Sequence, residues 1–310
     1  MQIKRRNFLM GGCAIAATAG CSTSKLFSGG DADFDDNLMA LFSDCHLPAT
    51  NENDFRNYEW DELNTCIAGV LRLNPLPRNV LIFGDLAYTA GDYADYPKAR
   101  ELLRPLIDAG IKVTIAMGNH DRRQSFLEAF PEYSKSTKVP GRIVSIVESP
   151  KADFILLDTL QGEQVGVQGP VDGKLNPEQI EWLKTTLAGY GKPVFVGSHH
   201  PINEIRIAGL LAGTPKVAGY INGHDHVWRK DFFIHKWTER RVVRTLCLPS
   251  TGLWGDIGYT LLRIGDNEAV AELHQHDFFF PIRPRSATDI NPEREVILRE
   301  NAGATCTFQW

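Results

Sequence analysis

Ile115-Ala116-Met117-Gly118-Asn119-His120-Asp121 decides the reading of this chain: an apolar run stops at a glycine and continues into side chains able to hold a metal. The same grammar occurs four more times, once with Ser43 in place of the glycine. Leu41-Phe42-Ser43 leads into Asp44-Cys45-His46, and Leu81-Ile82-Phe83 into Gly84-Asp85. Phe195-Val196-Gly197 leads into Ser198-His199-His200-Pro201, and Tyr220-Ile221-Asn222 into Gly223-His224-Asp225-His226. Short apolar runs bounded by glycine read as buried strands. In open α/β sheets, ligands bind in the crevice beyond the carboxyl ends of the strands. Five strands ending in Asp, His and Asn therefore predict one shared site, and six of the nine histidines lie in these segments, which is more than incidental polar strand ends would collect.

Spacing adds to this. Residues two apart in an extended chain share a face, so Asp44 and His46 are expected to converge with Cys45 turned away. His224 and His226 are expected to converge with Asp225 turned outward. Glycines at 84, 118 and 223 suit close backbone approach around a crowded site.

Outward from these segments, helical spacing covers 60–73 and 96–109. A third helix opens at Asn176-Pro177-Glu178-Gln179, with a capping Asn and Pro at the first helical position. Further strands are predicted near 142–147, 154–158, 232–234, 242–247, 259–264 and 268–274. Strands alternating with helices in the first half argue for an α/β core with parallel pairings. The strand-rich second half argues for a second, mixed sheet packed on the first, so the expected fold is a sandwich of two mixed sheets flanked by helices.

The ends of the chain read differently. Lys4-Arg5-Arg6-Asn7-Phe8-Leu9 opens an export signal over 1–20, whose apolar run over 8–20 is too short to cross a bilayer, which takes about 20 residues. Arg-Arg-x-Phe-Leu looks like a twin-arginine signal. Ala19-Gly20-Cys21 resembles a lipoprotein cleavage site, although Thr18 stands where Leu is usual; the alternative is a plain cleaved signal with an incidental Cys. The expectation is a periplasmic protein, lipid-anchored through Cys21. Residues 21–36 read as a flexible tether, 37–280 as the folded domain, and 281–310 as a loosely attached tail with one short helix near 292–299.

Composition is that of an ordinary globular protein, with 43% hydrophobic and 23% charged residues. Thirty-three basic against 38 acidic residues, a net charge of −5, offer no electrostatic footprint for nucleic acid. A small anionic substrate then has to be held by something locally positive, such as a metal. Cys45, Cys66, Cys247 and Cys306 show no C-x-x-C spacing, which counts against a thiolate zinc site.

Taken in order, D-x-H, G-D, G-N-H-D, H-x-P and G-H-x-H resemble the calcineurin-like metallophosphoesterases, over the stretch from Asp44 to His226. Each motif alone is weak; five in order, each at a strand end, are specific. The resemblance implies hydrolysis of a phosphate ester by a metal-activated hydroxide at two metal ions about 3.5–4 Å apart. It places one ion on Asp44, His46, Asp85 and His226, and the other on Asp85, Asn119, His199 and His224, with Asp85 bridging. Carboxylate and amide oxygens mixed with imidazole suit iron, manganese or zinc. His120 is then the candidate for protonating or stabilising the leaving oxygen, with Asp121 orienting it as a carboxylate–imidazole pair.

Several residues read two ways. His199 and His200 are adjacent and only one can face the metals; the spacing to Pro201 favours His199. Gly84-Asp85-Leu86-Ala87-Tyr88 also fits the G-D-x-x-Y of purple acid phosphatases, where Tyr ligates iron, but His46 stands where those enzymes have Gly, so Tyr88 reads as a pocket wall. Arg122-Arg123 reads as a phosphate clamp or a solvated first helical turn. His274 and His276 share a strand face and have no acid at ligand spacing. Trp228 and Trp254 read as pocket floor or as core.

Protein Ser/Thr phosphatases carry Asp-Arg-Gly after the second motif, whereas here the chain runs Leu86-Ala87-Tyr88-Thr89-Ala90-Gly91. A small-molecule phosphodiester or phosphomonoester is the expected substrate, with a slight leaning to the cyclic-nucleotide branch. The alternatives are a non-catalytic, lipid-anchored metal-binding protein on the same fold, which needs the seven ligands but not His120, or an envelope lipoprotein acting through its tail.

Overall fold

Strand β1 (Phe34–Phe42) shows how the fold is organised: Leu38, Ala40 and Phe42 enter one apolar cluster, while Met39 and Leu41 enter another. Alternation of period two explains the split, because successive side chains leave a strand on opposite faces. A strand with both faces apolar must be covered on both. The computed structural model describes residues 33–50, 58–235, 241–279 and 292–310. The expected signal, Cys21 and most of the expected tether lie outside these residues.

After β1 come α1 (Tyr58–Leu71), β2 (Leu76–Ile82), α2 (Asp95–Asp108), β3 (Lys112–Ile115), and the short helices α3 (Arg123–Ala129) and α4 (Tyr133–Ser136). Next are β4 (Ser145–Val147), β5 (Asp153–Leu156), α5 (Pro177–Ala188), β6 (Val194–Ser198), α6 (Ile202–Ile205), α7 (Ala208–Ala212) and β7 (Val217–Asn222). The chain ends with β8 (Arg229–His235), β9 (Arg241–Cys247), β10 (Gly255–Ile264), β11 (Glu268–Phe279), α8 (Pro292–Asn301) and β12 (Thr305–Gln309). Asn176 caps α5 as its sequence suggests, its side chain accepting from the Gln179 N–H at 3.2 Å.

Two six-stranded mixed sheets result, in the orders β12-β11-β10-β1-β2-β3 and β4-β5-β6-β7-β9-β8. Helices α1 and α2 cover the outer face of the first through Leu63, Ile67, Leu103 and Leu106. Helix α5 covers the outer face of the second through Leu183 and Leu187. Between the sheets, Met39, Leu41, Phe83, Phe154, Phe195, Ile221 and Leu246 form a common core. The expected α/β sandwich is present.

Three expectations need correction. The halves of the chain do not correspond to the two sheets, because β1 pairs antiparallel with β10, Leu41 facing Thr260. That pairing joins segments too far apart for local pattern to reveal. The tail is also not loosely attached over its last residues: β12 pairs with β11 (Ala271 facing Cys306). Phe308 is fully buried between the sheets, its ring edge-on to Phe195 at 5.1 Å. Two buried side chains in a five-residue strand, Cys306 and Phe308, are enough to dock it. Likewise β1 starts at Phe34, inside the expected tether. Cys45, Cys66, Cys247 and Cys306 are all buried free thiols.

Candidate metal centre

All five motifs meet where the two sheets end. Parallel strands β1, β2 and β3 deliver Asp44, His46, Asp85, Asn119 and His120 from the first sheet. Parallel β6 and β7 deliver His199, His200, His224 and His226 from the second. The loops are stitched beyond the strands: the Asp44 N–H donates to Gly84 O at 3.1 Å, the His46 N–H to Asp85 O at 2.9 Å and the Gly223 N–H to His199 O at 3.0 Å. No Cβ is tolerable on Gly118 or Gly223, where it would overlap the Asp85 carboxylate or the Ser43 hydroxyl.

The convergence does not come from extended alternation, as the spacing suggested. Asp44, His46, Asp85, His224 and His226 have positive φ of 53°, 46°, 49°, 75° and 53°, the left-handed region. Each such residue costs about 1–3 kcal/mol and persists only where its surroundings over-determine it. Alternating left-handed turns, rather than a strand edge, aim these side chains at one point. Cys45 does turn away, its thiol 3.0 Å from the Thr251 hydroxyl, and Asp225 is exposed and paired with Arg229.

Donor atoms fall into two groups that share Asp85. In the first, His226 Nε2 lies 3.1 Å from Asp44 Oδ1 and 3.2 Å from His46 Nε2, which is 3.7 Å from Asp85 Oδ2. In the second, His199 Nε2 lies 3.1 Å from Asp85 Oδ2, 3.0 Å from Asn119 Oδ1 and 3.2 Å from His224 Nδ1. Asn119 Oδ1 is also 3.1 Å from His224 Nδ1.

On three of the four donor histidines the remaining imidazole nitrogen meets a main-chain carbonyl. His46 Nδ1 meets Tyr88 O at 3.3 Å, His199 Nδ1 meets Phe83 O at 2.8 Å, and His226 Nδ1 meets Leu253 O. Such outer partners fix the tautomer and leave a lone pair facing inward. Two inward nitrogens 3.2 Å apart, as in His46–His226, repel unless a cation stands between them. Charge tells the same story. Burial alone raises the Asp85 and Asp44 carboxyls, but the histidines beside them outweigh it and hold both below the usual carboxylate range. Burial alone lowers the His199 imidazole, but Asp85 and Asp44 push it up to about 10. His226 is raised as well, against its burial, by Asp44. The carboxylates thus draw positive charge into the cluster, and cations bound there would supply it and displace those protons. The donor set fits a dinuclear metal site.

His200 also packs against this cluster, but both its nitrogens are engaged: Nδ1 lies 2.7 Å from the Thr159 hydroxyl and Nε2 2.9 Å from Val171 O. Burial takes its pKa down to about 2. It packs behind His199 with no free nitrogen for an ion.

His120 is half-buried beside the first group, its ring edge-on to His46 at 4.8 Å. Its N–H donates to Asp85 Oδ1 at 2.8 Å, and its Nδ1 meets Thr89 O at 2.8 Å. Asp121 does not pair with it. The Asp121 carboxylate is fully buried and accepts from the N–H groups of Gly118 (2.9 Å), Ala87 (3.0 Å) and Leu86 (3.3 Å) and from the Tyr96 hydroxyl (3.2 Å). Three orphan loop N–H groups claim this side chain, so the expected carboxylate–imidazole pair is replaced by a staple joining the Asp85 and Asn119 loops. Burial first, and then the charge of Asp85, raise this carboxyl to about 6.

Neither arginine after the third motif is a phosphate clamp or a solvated helix residue. Arg122 is fully buried, donating to the carbonyls of Asn119 and Gln164 at 3.0 and 2.8 Å and to those of Asp121 and Val167. Arg123 forks onto Asp158 at 2.6 and 2.7 Å and pairs with Glu163. His274 and His276 both have acid partners after all: His276 meets Glu62 of α1 at 2.6 Å, and His274, its ring stacked on Tyr259 at 5.0 Å, meets Glu272 at 3.6 Å. Sequence reading missed Ser43, whose hydroxyl donates to Asp44 Oδ2 at 2.5 Å, and every carbonyl that orients a histidine. A main-chain carbonyl leaves no mark in a sequence.

A profile of the calcineurin-like phosphoesterases matches residues 39–228, and the chain belongs to that family. With both donor groups intact it is a metal-dependent phosphoesterase. A Rhodopseudomonas palustris protein named as a probable cyclic nucleotide phosphodiesterase is 25% identical over 212 residues, covering 62% of this chain and 74% of that protein. A Psychrobacter arcticus protein with the same name is 28% identical over 102 residues, 31% of this chain and 34% of that protein. Among solved structures, a dimetal phosphatase from Danio rerio superposes with a TM-score of 0.59 at 15% identity, over 80% of this chain and 99% of that one. A purple acid phosphatase from yellow lupin seeds gives 0.58 at 12%, over 88% and 53%. At these identities the structures share the fold alone.

Proposed function

We propose that the chain hydrolyses a small phosphodiester, with one ion on Asp44, His46, Asp85 and His226 and a second on Asp85, Asn119, His199 and His224. The observation that carries this reading is Asp85 Oδ2, a single oxygen facing His46 Nε2 on one side and His199 Nε2 on the other. Mixed carboxylate, amide and imidazole donors suit manganese, iron or zinc. When bound, two such ions supply Lewis acidity at the phosphoryl oxygens and lower the pKa of water toward neutrality. The residues do the rest: Thr89 O and the Asp85 carboxylate hold His120 beside the first donor group, where it serves the leaving oxygen. A non-catalytic metal-binding role would leave this placement of His120 without a use. The names of the two bacterial relatives favour a diester over a monoester, a cyclic nucleotide being the leading candidate.

The test is turnover of bis-nitrophenyl phosphate and nitrophenyl phosphate by the manganese-loaded chain, with metal analysis. Faster turnover of the diester is expected. Asp85→Asn, which weakens both donor groups at once, is expected to lose activity and metal together. A variant holding two metals per chain at wild-type rate would refute the shared-carboxylate reading. We further propose export through Arg5 and Arg6 and anchoring through Cys21; mass spectrometry of the mature N-terminus decides the anchoring.

A further inference from the structure

The two tryptophans near the centre differ in kind. Trp228 is 8% exposed and belongs to the core between the sheets, whereas Trp254 is 39% exposed. Trp254 also has a φ of 61°, a conformation that a bulky L residue rarely adopts. The turn around it is held from both sides by one histidine. His226 Nδ1 donates to Leu253 O, and the Asp256 N–H donates to His226 O at 2.9 Å. Ser250 Oγ accepts from the Leu253 N–H at 2.8 Å and donates to Asp44 O at 2.7 Å, tying the same turn to a second donor residue. The next residue, Gly255, also has positive φ and could not carry a Cβ without striking His226 O. A glycine would satisfy the backbone at 254 as it does at 255. The chain instead holds an indole there, at a conformational cost, with its ring 6.0 Å from the His226 ring and tilted 32° to it.

That position lies one ring away from the first donor group, through His226, whose ring is itself 5.0 Å from that of His46. We propose that Trp254 is a stacking platform for a flat aromatic substituent of the phosphate ester, and that a nucleobase is the group it takes. The indole selects for a π-face rather than for one base, since every base has one. This inference rests on the phosphodiester reading and adds to it the residue that holds the base.

Metal-loaded full chain is compared with Trp254→Gly, which suits the φ of 61° and removes the ring, and with Trp254→Phe, which keeps a smaller ring. The esters are a nucleoside 3′,5′-cyclic phosphate and a base-free ribose cyclic phosphate. Stacking of a base on an aromatic ring implies that Trp254→Gly cuts the kcat/KM preference for the base-bearing ester by about ten- to hundredfold, mainly through KM. Trp254→Phe is expected to keep most of it, and both variants to hold wild-type metal. Calorimetric affinity for a nucleoside 5′-monophosphate should fall by a similar factor in Trp254→Gly. An unchanged preference, or an equal loss on both esters, overturns the platform, the second outcome meaning that Trp254 only positions His226. If wild type cleaves neither ester, the phosphodiester reading falls by itself. The calorimetric comparison then decides the platform, and equal affinity in wild type and Trp254→Gly, or no binding by either, overturns it.

Discussion

Truncating His120 separates chemistry from metal binding. The contact that ties residue 120 to the shared carboxylate is its main-chain N–H on Asp85 Oδ1, which His120→Ala leaves in place. The side chain gives up one hydrogen bond, to Thr89 O, at a half-buried position, so the stability loss should be about 1 kcal/mol and metal content should stay at wild type. Proton transfer to a leaving group is worth about 10²–10⁴ in kcat, or roughly 3–5 kcal/mol at 1.36 kcal/mol per decade. A nitrophenolate departs without a proton, so the loss should be smallest for nitrophenyl esters and largest for alkyl esters. The assay is kcat across a series of leaving-group pKa values, run beside metal analysis. A uniform loss across the series would mean that His120 stabilises the phosphoryl group instead. No loss on any ester, with metals intact, would remove it from the mechanism.

The other predictions follow from the same geometry. Asp121→Asn should weaken metal retention by about 10–100-fold, the usual cost of an outer partner, because its carboxylate holds the N–H groups of Leu86 and Gly118. It should leave the slope against leaving-group pKa unaltered; a slope matching that of His120→Ala would restore the carboxylate–imidazole pair. Phe308→Ala should lower unfolding stability by about 3–5 kcal/mol in denaturant titration, since the ring is fully buried against Phe195 and Gly219; a loss under 1 kcal/mol would mean a loosely attached tail. Replacing Arg5 and Arg6 with Lys should strand the protein in the cytoplasm, and unchanged periplasmic yield would point to a different route.

By itself the sequence determined the layered fold and the composition of the site. Strands with apolar residues on both faces, such as 38–42 and 80–83, must lie inside a covered sheet, and glycine-terminated strand ends loaded with Asp, Asn and His carry a strong local signal. Asn176 and Pro177 announced the start of α5 because capping is a local hydrogen bond. What the tertiary structure alone decided depends on partners distant in the chain. The β1–β10 pairing joins segments about 220 residues apart, and β12 docks on β11 across a chain reversal while its Phe308 packs against the distant Phe195. Asp121 was legible as a carboxylate but not as a staple, because two of the backbone N–H groups it holds lie 34 and 35 positions away. His199 faces the donor cluster and His200 does not because Phe83 O takes only one nitrogen of His199, whereas Thr159 and Val171 O take both of His200. The left-handed turns at Asp44, His46, Asp85, His224 and His226 are strained and exist only because the assembled site holds them. No local propensity favours them, so no local reading could have found them.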